Sequence, residues 1–254
     1  MPCEVTLCAM KLMIEIAQWA GYTERQLTIM RGLATEICMP VYEFNGEFIK
    51  VNGSNPSGHS LTVFLNNIVN SLYLRYAYYD VYNGTPPGSF ADNVSVMCYG
   101  DDNKMSVRVG SDLYNHTSIA NSLAKCGIIY TMADKEAISV PFINNSQCNF
   151  LKRSSVWSDK YNLYLAPIEK DSIFKTLHCV LASKFLTKQE QAAECIMNSM
   201  REFFHYGEEE YNLRRNQLLQ VVDECRLRPY LPEETLMTFA EEEERFLYKS
   251  DLLE

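Results

Sequence analysis

A chain of 254 residues is long enough for one large domain or two small ones, and it can bury a core without help from disulfides. Apolar residues make up 47% and charged residues 22%, which excludes a disordered chain. Lys and Arg number 23 against 32 Asp and Glu, a net charge of −9, which excludes a free-standing polybasic nucleic-acid binder but leaves room for a local basic channel. Nine cysteines are scattered without a Cys-x-x-Cys pair, and four histidines lie outside zinc-site spacing, so reduced thiols in a cytosol-like compartment are expected. No apolar run approaches the roughly 18 residues of a membrane span, and Met1-Pro2-Cys3-Glu4 lacks a basic n-region, so neither a transmembrane segment nor secretion is expected.

In chain order, Val5, Cys8, Leu12, Ile16 and Trp19 recur at helical period until Gly21. Thr23 with Gln26 reads as a capping box opening a helix that runs to about Ile37, and Pro40 ends it. Residues 41–51 alternate around Asn45-Gly46, the strongest short hairpin signal. A loop at 52–58 precedes a long helix over about 60–82, with Val63, Phe64, Asn67, Val69, Leu72, Tyr73 and Tyr76 near one side. After a loop at 83–92, residues 94–98 form a strand, 99–103 a turn and 104–109 the returning strand. A helix at 113–126 capped by Gly127, a strand at 128–132 and a strand-rich stretch at 138–157 with Phe150-Leu151 facing a core follow. Beyond Pro167, helical patterns at 171–186, 188–205, 209–225 and 233–250 mark an all-helical second unit, and its last 25 residues carry an acidic load, Glu233, Glu234 and 241–244.

Four constellations could carry chemistry. Adjacent Asp101 and Asp102 on a tight turn repel one another unless a hard cation neutralises them, Mg²⁺ being the usual partner where phosphates are handled; the plain alternative is a solvated Asp-Asp turn. Ser57-Gly58 ahead of Thr62 and Asn66 places two hydrogen-bonding side chains four apart on one helix face, within reach of a sugar hydroxyl, or else forms an ordinary helix start. Lys135, just after a predicted strand, is either a general acid toward a phosphate leaving group or a surface lysine. Lys152-Arg153 after Phe150-Leu151 either grips a nucleic-acid backbone or ends a strand in solvent.

Taken in order, Ser57-Gly58-x₃-Thr62-x₃-Asn66, Tyr99-Gly100-Asp101-Asp102, Gly127 leading to Ala133-Asp134-Lys135, and Phe150-Leu151-Lys152-Arg153 resemble motifs B, C, D and E of a viral RNA-dependent RNA polymerase of the positive-strand picorna-like group. The resemblance runs over about residues 1–180. It implies an α+β fold: a right-hand polymerase palm, an antiparallel sheet with packed helices over 1–167, followed by an all-helical thumb over 168–254, with the fingers largely absent. It implies that Asp101 is the principal metal-binding aspartate and Asp102 its neighbour. By the same resemblance Ser57 and Gly58 begin the motif that positions template and incoming nucleotide, and Thr62 and Asn66 sense the ribose 2′-hydroxyl. Lys135 would protonate the departing pyrophosphate, and Lys152 and Arg153 fall in the primer grip. The implied cofactor is Mg²⁺, with Mn²⁺ a substitute. Implied partners are RNA template and primer, nucleoside triphosphates and other viral replication proteins, in the host-cell cytoplasm. A reverse transcriptase fits less well, because Asn66 and Gly100 both favour RNA synthesis.

The chain also departs from the pattern. Motif A, Asp-x₄₋₅-Asp, precedes motif B in this family, yet no aspartate occurs before Asp80 and no such pair follows Asp102. The basic fingers motif is missing as well. Met1-Pro2 resembles the pair that often follows motif A, so the expectation is a C-terminal polymerase fragment cut from a longer polyprotein, inactive alone. The alternative is a non-catalytic polymerase remnant that binds RNA or a protein. An upstream reading frame encoding Asp-x₄₋₅-Asp within about 15 codons separates the two.

Overall fold

The structure, a computed structural model, describes residues 2–53, 55, 58–232 and 236–251, with side chains described as far as Tyr248. Helices alternate with small antiparallel sheets, three two-stranded ones among the described residues. The chain divides into two compact units, 1–143 and 144–254. The expected boundary at 167/168 falls inside the second of these units, just ahead of its first helix at Lys170.

In the first unit, α1 (Cys3–Trp19) and α2 (Glu24–Cys38) form an antiparallel pair; the Thr23 backbone N–H donates to Gln26 Oε1 at 2.8 Å, the reciprocal half of the expected box. The buried side of α1 is Thr6, Ala9, Met10 and Ala17, whereas Leu12, Ile16 and Trp19 are exposed. Of the five residues at helical period only Val5 packs against the core that Ala9 and Met10 join. Small residues let helices approach closely, so the packed stripe here is the less bulky one. The hairpin β1 (Val41–Phe44) and β2 (Glu47–Lys50) turns at Asn45 and Gly46, both at positive φ, and every residue of both strands is exposed.

Helix α3 (Thr62–Val81) organises the unit. Leu65 and Val69 in its first half pack with Ala9, Met10, Ala34 and Cys38. Leu74, Ala77 and Tyr78 in its second half join a different cluster with Phe90, Val94, Tyr114, Ile119 and Leu123. Serving two cores on different sides, α3 has no single apolar stripe, and the expected one holds only in part: Val69, Leu72 and Tyr73 pack inward, whereas Val63, Phe64 and Tyr76 are exposed. A short helix, α4 (Phe90–Asn93), occupies the end of the expected 83–92 loop and leads into β3 (Val94–Tyr99), which pairs with β4 (Asp102–Val107). The turn is thus only Gly100-Asp101, tighter than expected, and Val109 lies beyond the strand, exposed. Helix α5 (His116–Ala124) packs beside α3, and Tyr114 Oη donates to the Leu74 carbonyl at 2.8 Å. Residues 128–132 form no regular element and pair with no strand among the described residues; Ile128 and Tyr130 dock by side chain against the core instead, so apolar character there reflects docking and not a ladder.

The stretch 138–157, which runs from the end of the first unit into the second, is poorer in strand than expected. It holds a 3₁₀ turn (Asn145–Gln147), an isolated bridge between Phe150 and Arg153, and the start of the hairpin β5 (Val156–Ser158) with β6 (Leu163–Leu165). Leu151 and Lys152 both adopt positive φ to close the Phe150–Arg153 turn, which leaves Leu151 exposed and not in a core. Helices α6 (Lys170–His178), α7 (Lys188–Phe203), α8 (Glu208–Glu224) and α9 (Phe239–Asp251) surround Ile173, Ile196, Met200, Phe203, Phe204, Tyr211 and Val222. Helix α6 stops eight residues short of the expected 186, because the apolar side chains beyond it, Val180, Leu181 and Phe185, find no core and stay exposed. Of the expected start of the last helix, 233–235 lie outside the described residues, and the helix itself begins at Phe239. None of the nine cysteines is in a disulfide.

Candidate functional site

Gly100 at positive φ takes the first central position of the two-residue turn, the place where glycine lets a hairpin reverse without strain. Asp101 and Asp102 follow it, both exposed. What fixes them is the helix beneath. Asn67 and Asn70, three apart on α3, face the turn: Asn67 Oδ1 accepts the Gly100 backbone N–H, and Asn70 Nδ2 reaches the carbonyls of Gly100, Asp101 and Asp102 at 3.3, 3.0 and 3.2 Å. Asn70 Oδ1 in turn accepts from Asn103 Nδ2 at 3.3 Å, and Asn103 Oδ1 accepts from Tyr130 Oη at 2.8 Å. Asn67, Asn70, Asn103 and Tyr130 escaped the sequence reading. Their one signal was a pair of asparagines in the middle of an otherwise apolar helix, since a buried amide needs partners.

Thr62, Asn66 and Asn70 are spaced four apart and so form one polar stripe along α3. Thr62 Oγ1 donates to the His59 carbonyl at 2.8 Å. Asn66 Oδ1 accepts from Asn55 Nδ2 at 2.8 Å, and Asn55 Oδ1 meets His59 Nε2 at 2.7 Å. Because His59 Nδ1 accepts the Leu61 N–H, Nε2 is the donor of that pair. With its oxygen so engaged, Asn66 offers a ligand its amide N–H groups. Gly58, at positive φ, is exposed just ahead of the helix; Ser57 lies outside the described residues.

Lys135 stands exposed in the turn formed when the Ala137 N–H donates to the Asp134 carbonyl, five residues beyond the Tyr130 tether. In the second unit, Lys152 is exposed at the tip of the 150–153 turn. Arg153 is engaged internally: its guanidinium meets both Glu202 oxygens, at 2.6 and 2.9 Å, and the Ala166 carbonyl at 2.8 Å. The hydrogen bond to Glu202 raises its already high pKa further. Among the described residues no three Asp, Glu, His or Cys gather as a metal-binding group, and no helix is long and apolar enough to cross a membrane.

The structure thus shows a carboxylate-bearing hairpin turn braced on a helix with a polar stripe, and comparison with known proteins gives the family. The profile of viral RNA-dependent RNA polymerases matches residues 4–225, and the chain belongs to that family. It is 27% identical over 224 residues to the replicase polyprotein of cricket paralysis virus, a match covering 85% of this chain and 12% of the polyprotein. It is 31% identical over 180 residues to the RNA1 polyprotein of broad bean wilt virus 2, covering 69% and 10%, and 27% identical over 214 residues to that of cowpea mosaic virus, covering 82% and 11%. The chain therefore spans about a tenth of the length of these curated relatives.

Proposed function

We propose that the chain is the part of a viral RNA-dependent RNA polymerase that carries motifs B to E, with residues 1–167 contributing to the palm and 168–254 forming the thumb. The reaction is template-directed nucleotidyl transfer on an RNA template and primer from nucleoside triphosphates, in the host-cell cytoplasm beside other viral replication proteins. The observation that carries this reading is the bracing of the Asp101–Asp102 turn on the helix that bears Thr62 and Asn66.

The residues present fit a divalent cation in part. Asp101 and Asp102 offer hard carboxylate oxygens on an exposed turn, while the neighbouring carbonyls are taken up by Asn70. Two carboxylates would hold Mg²⁺ or Mn²⁺ weakly, and the ion supplies charge neutralisation at the transferring phosphate when bound. Thr62 and the Asn66 amide read the ribose 2′-hydroxyl, a group that both donates and accepts. Ser57 and Gly58 position template and nucleotide. Lys135 delivers a proton to the leaving pyrophosphate. Lys152 presents a cation to the RNA backbone from a turn that Arg153 anchors to α7.

No aspartate precedes Asp80, so the third carboxylate of the reaction and the cations of the fingers are not among these residues. Electrostatic contributions of this type are each worth about 10²–10³ in rate and act as a unit. The 254-residue chain therefore does not polymerise. Primer extension on a homopolymer template with Mn²⁺ tests both levels. An extended protein that adds Asp-x₄₋₅-Asp and the basic segment upstream should incorporate nucleotide and lose that activity on Asp101→Asn. Failure of the extended protein would sink the polymerase reading. Incorporation by the 254-residue chain, abolished by Asp101→Asn, would sink its inactivity and mean that another carboxylate completes the site.

A further inference from the structure

The polar groups at the tip of the β3–β4 hairpin have their partners on a helix some thirty residues earlier in the chain. Gly100 gives its N–H to Asn67, and three consecutive carbonyls, 100–102, converge on the single Asn70 Nδ2, whose two hydrogens must be shared among them. The amide cannot flip, because its Oδ1 is occupied by Asn103, which Tyr130 orients in turn. Asn70 is buried, so these partners are the ones that satisfy it. It also continues the Thr62–Asn66 stripe by one helical turn. We infer that Asn67 and Asn70 are positioning residues that hold the Asp101–Asp102 carboxylates in register with the ribose-reading face of α3, so that one rigid helix sets the spacing between sugar recognition and the metal-binding turn. This rests on the reading of Asp101 and Asp102 as metal-binding groups. The two asparagines act through the turn's backbone and touch no reacting atom.

The experiment uses the 254-residue chain and two readouts: amide hydrogen exchange at 99–103 without metal, and paramagnetic broadening of the same amides by added Mn²⁺. Asn70→Leu keeps the side-chain bulk and removes the donor. It should speed exchange at the tip about tenfold, raise the Mn²⁺ needed for half-broadening several-fold, and leave the Ile119 and Leu123 amides of α5 unchanged. Asn70→Gln, which retains an amide, should recover part of both effects. Should Asn70→Leu not fold, Asn67→Ala at a half-buried position should free the Gly100 amide alone. Unchanged tip exchange, or a loosened tip with an unchanged Mn²⁺ requirement, would overturn the inference. Absence of broadening at 99–103 in the unsubstituted chain would instead overturn the metal reading of the aspartates, with the exchange data still deciding whether the clamp exists.

Discussion

Two hairpins in the first unit are built alike and do different things. Both turn on two residues with a glycine at positive φ, Gly46 in one and Gly100 in the other. In β1–β2 the tip satisfies itself: the Gly46 N–H donates to Glu43 Oε1 at 2.7 Å, within the same hairpin, and no strand residue is buried. In β3–β4 alternate residues, Val94, Val96 and Cys98, turn inward to the core under α3 and α5, and the tip's amide and carbonyls are claimed by Asn67 and Asn70. A turn signal specifies a reversal of the chain. A site needs the tip held against something rigid, and the two asparagines supply that.

The contrast predicts where substitutions hurt. Leu74 is fully buried beneath the second hairpin, so Leu74→Ala should cost about 2–5 kcal/mol in denaturant unfolding of the first unit. Phe48, on the first hairpin, is 79% exposed, and Phe48→Ala should stay within about 0.5 kcal/mol. Comparable losses from the two would mean that the exposed hairpin is part of the cooperative core.

The turn at 150–153 offers a third way of holding a tip, by charge. Arg153 and Glu202 form a bidentate pair whose side chains are 38% and 27% exposed, so solvent discounts the interaction to about 1–2 kcal/mol. Arg153→Ala should lose that amount from the second unit, and Arg153→Lys should recover little of it, because an ammonium cannot span both oxygens. Full recovery by lysine would show that the charge matters and the fork does not.

A subtler comparison places alanine at the two turn glycines. Nothing lies within 4 Å of a Cβ built on either, so the cost is conformational and about 1 kcal/mol at each turn. Gly100→Ala should show that cost in the global stability of the first unit. Gly46→Ala should show it only as local fraying, seen as faster amide exchange at 44–47. Equal global effects would erase the distinction between the two hairpins.

Much of this frame was legible in the sequence, and its failures share a cause. Asn45-Gly46, Gly100, Gly127 and the Thr23–Gln26 pair act locally, so their turns and caps could be read from residues alone. The motif order likewise led to the family that the comparisons show. What could not be read depends on tertiary partners. The apolar period of α1 marks its bulky side, whereas the residues that pack against α2 and α3 are mostly small. Residues 128–132 looked like a strand because apolar residues dock there, yet no neighbouring edge pairs with them. Asn67 was assigned to an apolar face and Asn70 to none; their role exists only once the Gly100–Asp102 backbone arrives from thirty residues away.

The smallest expected effect is a drift with pH, confined to the second unit. His205 follows α7 close to the Arg153–Glu202 pair, its ring against Phe204 and Phe246, with Nδ1 buried and unpartnered among the described residues. Burial lowers its pKa, nearby Glu202 opposes that shift, and Arg153 reinforces it. The folded ring therefore binds a proton less readily than the unfolded one. As pH falls below about 6.5, the ordinary histidine value, the unfolded chain gains protons first and stability declines until the folded pKa is passed. Trp157 lies in the second unit, so its fluorescence in a Trp19→Phe background follows unfolding there. The unfolding midpoint should fall between pH 7.5 and 5.5, and His205→Phe, which keeps the ring and removes the titrating nitrogen, should flatten that slope. A slope unchanged by His205→Phe would place the acid sensitivity elsewhere in the unit. A midpoint that rises on acidification would reverse the sign and show that Glu202 outweighs burial.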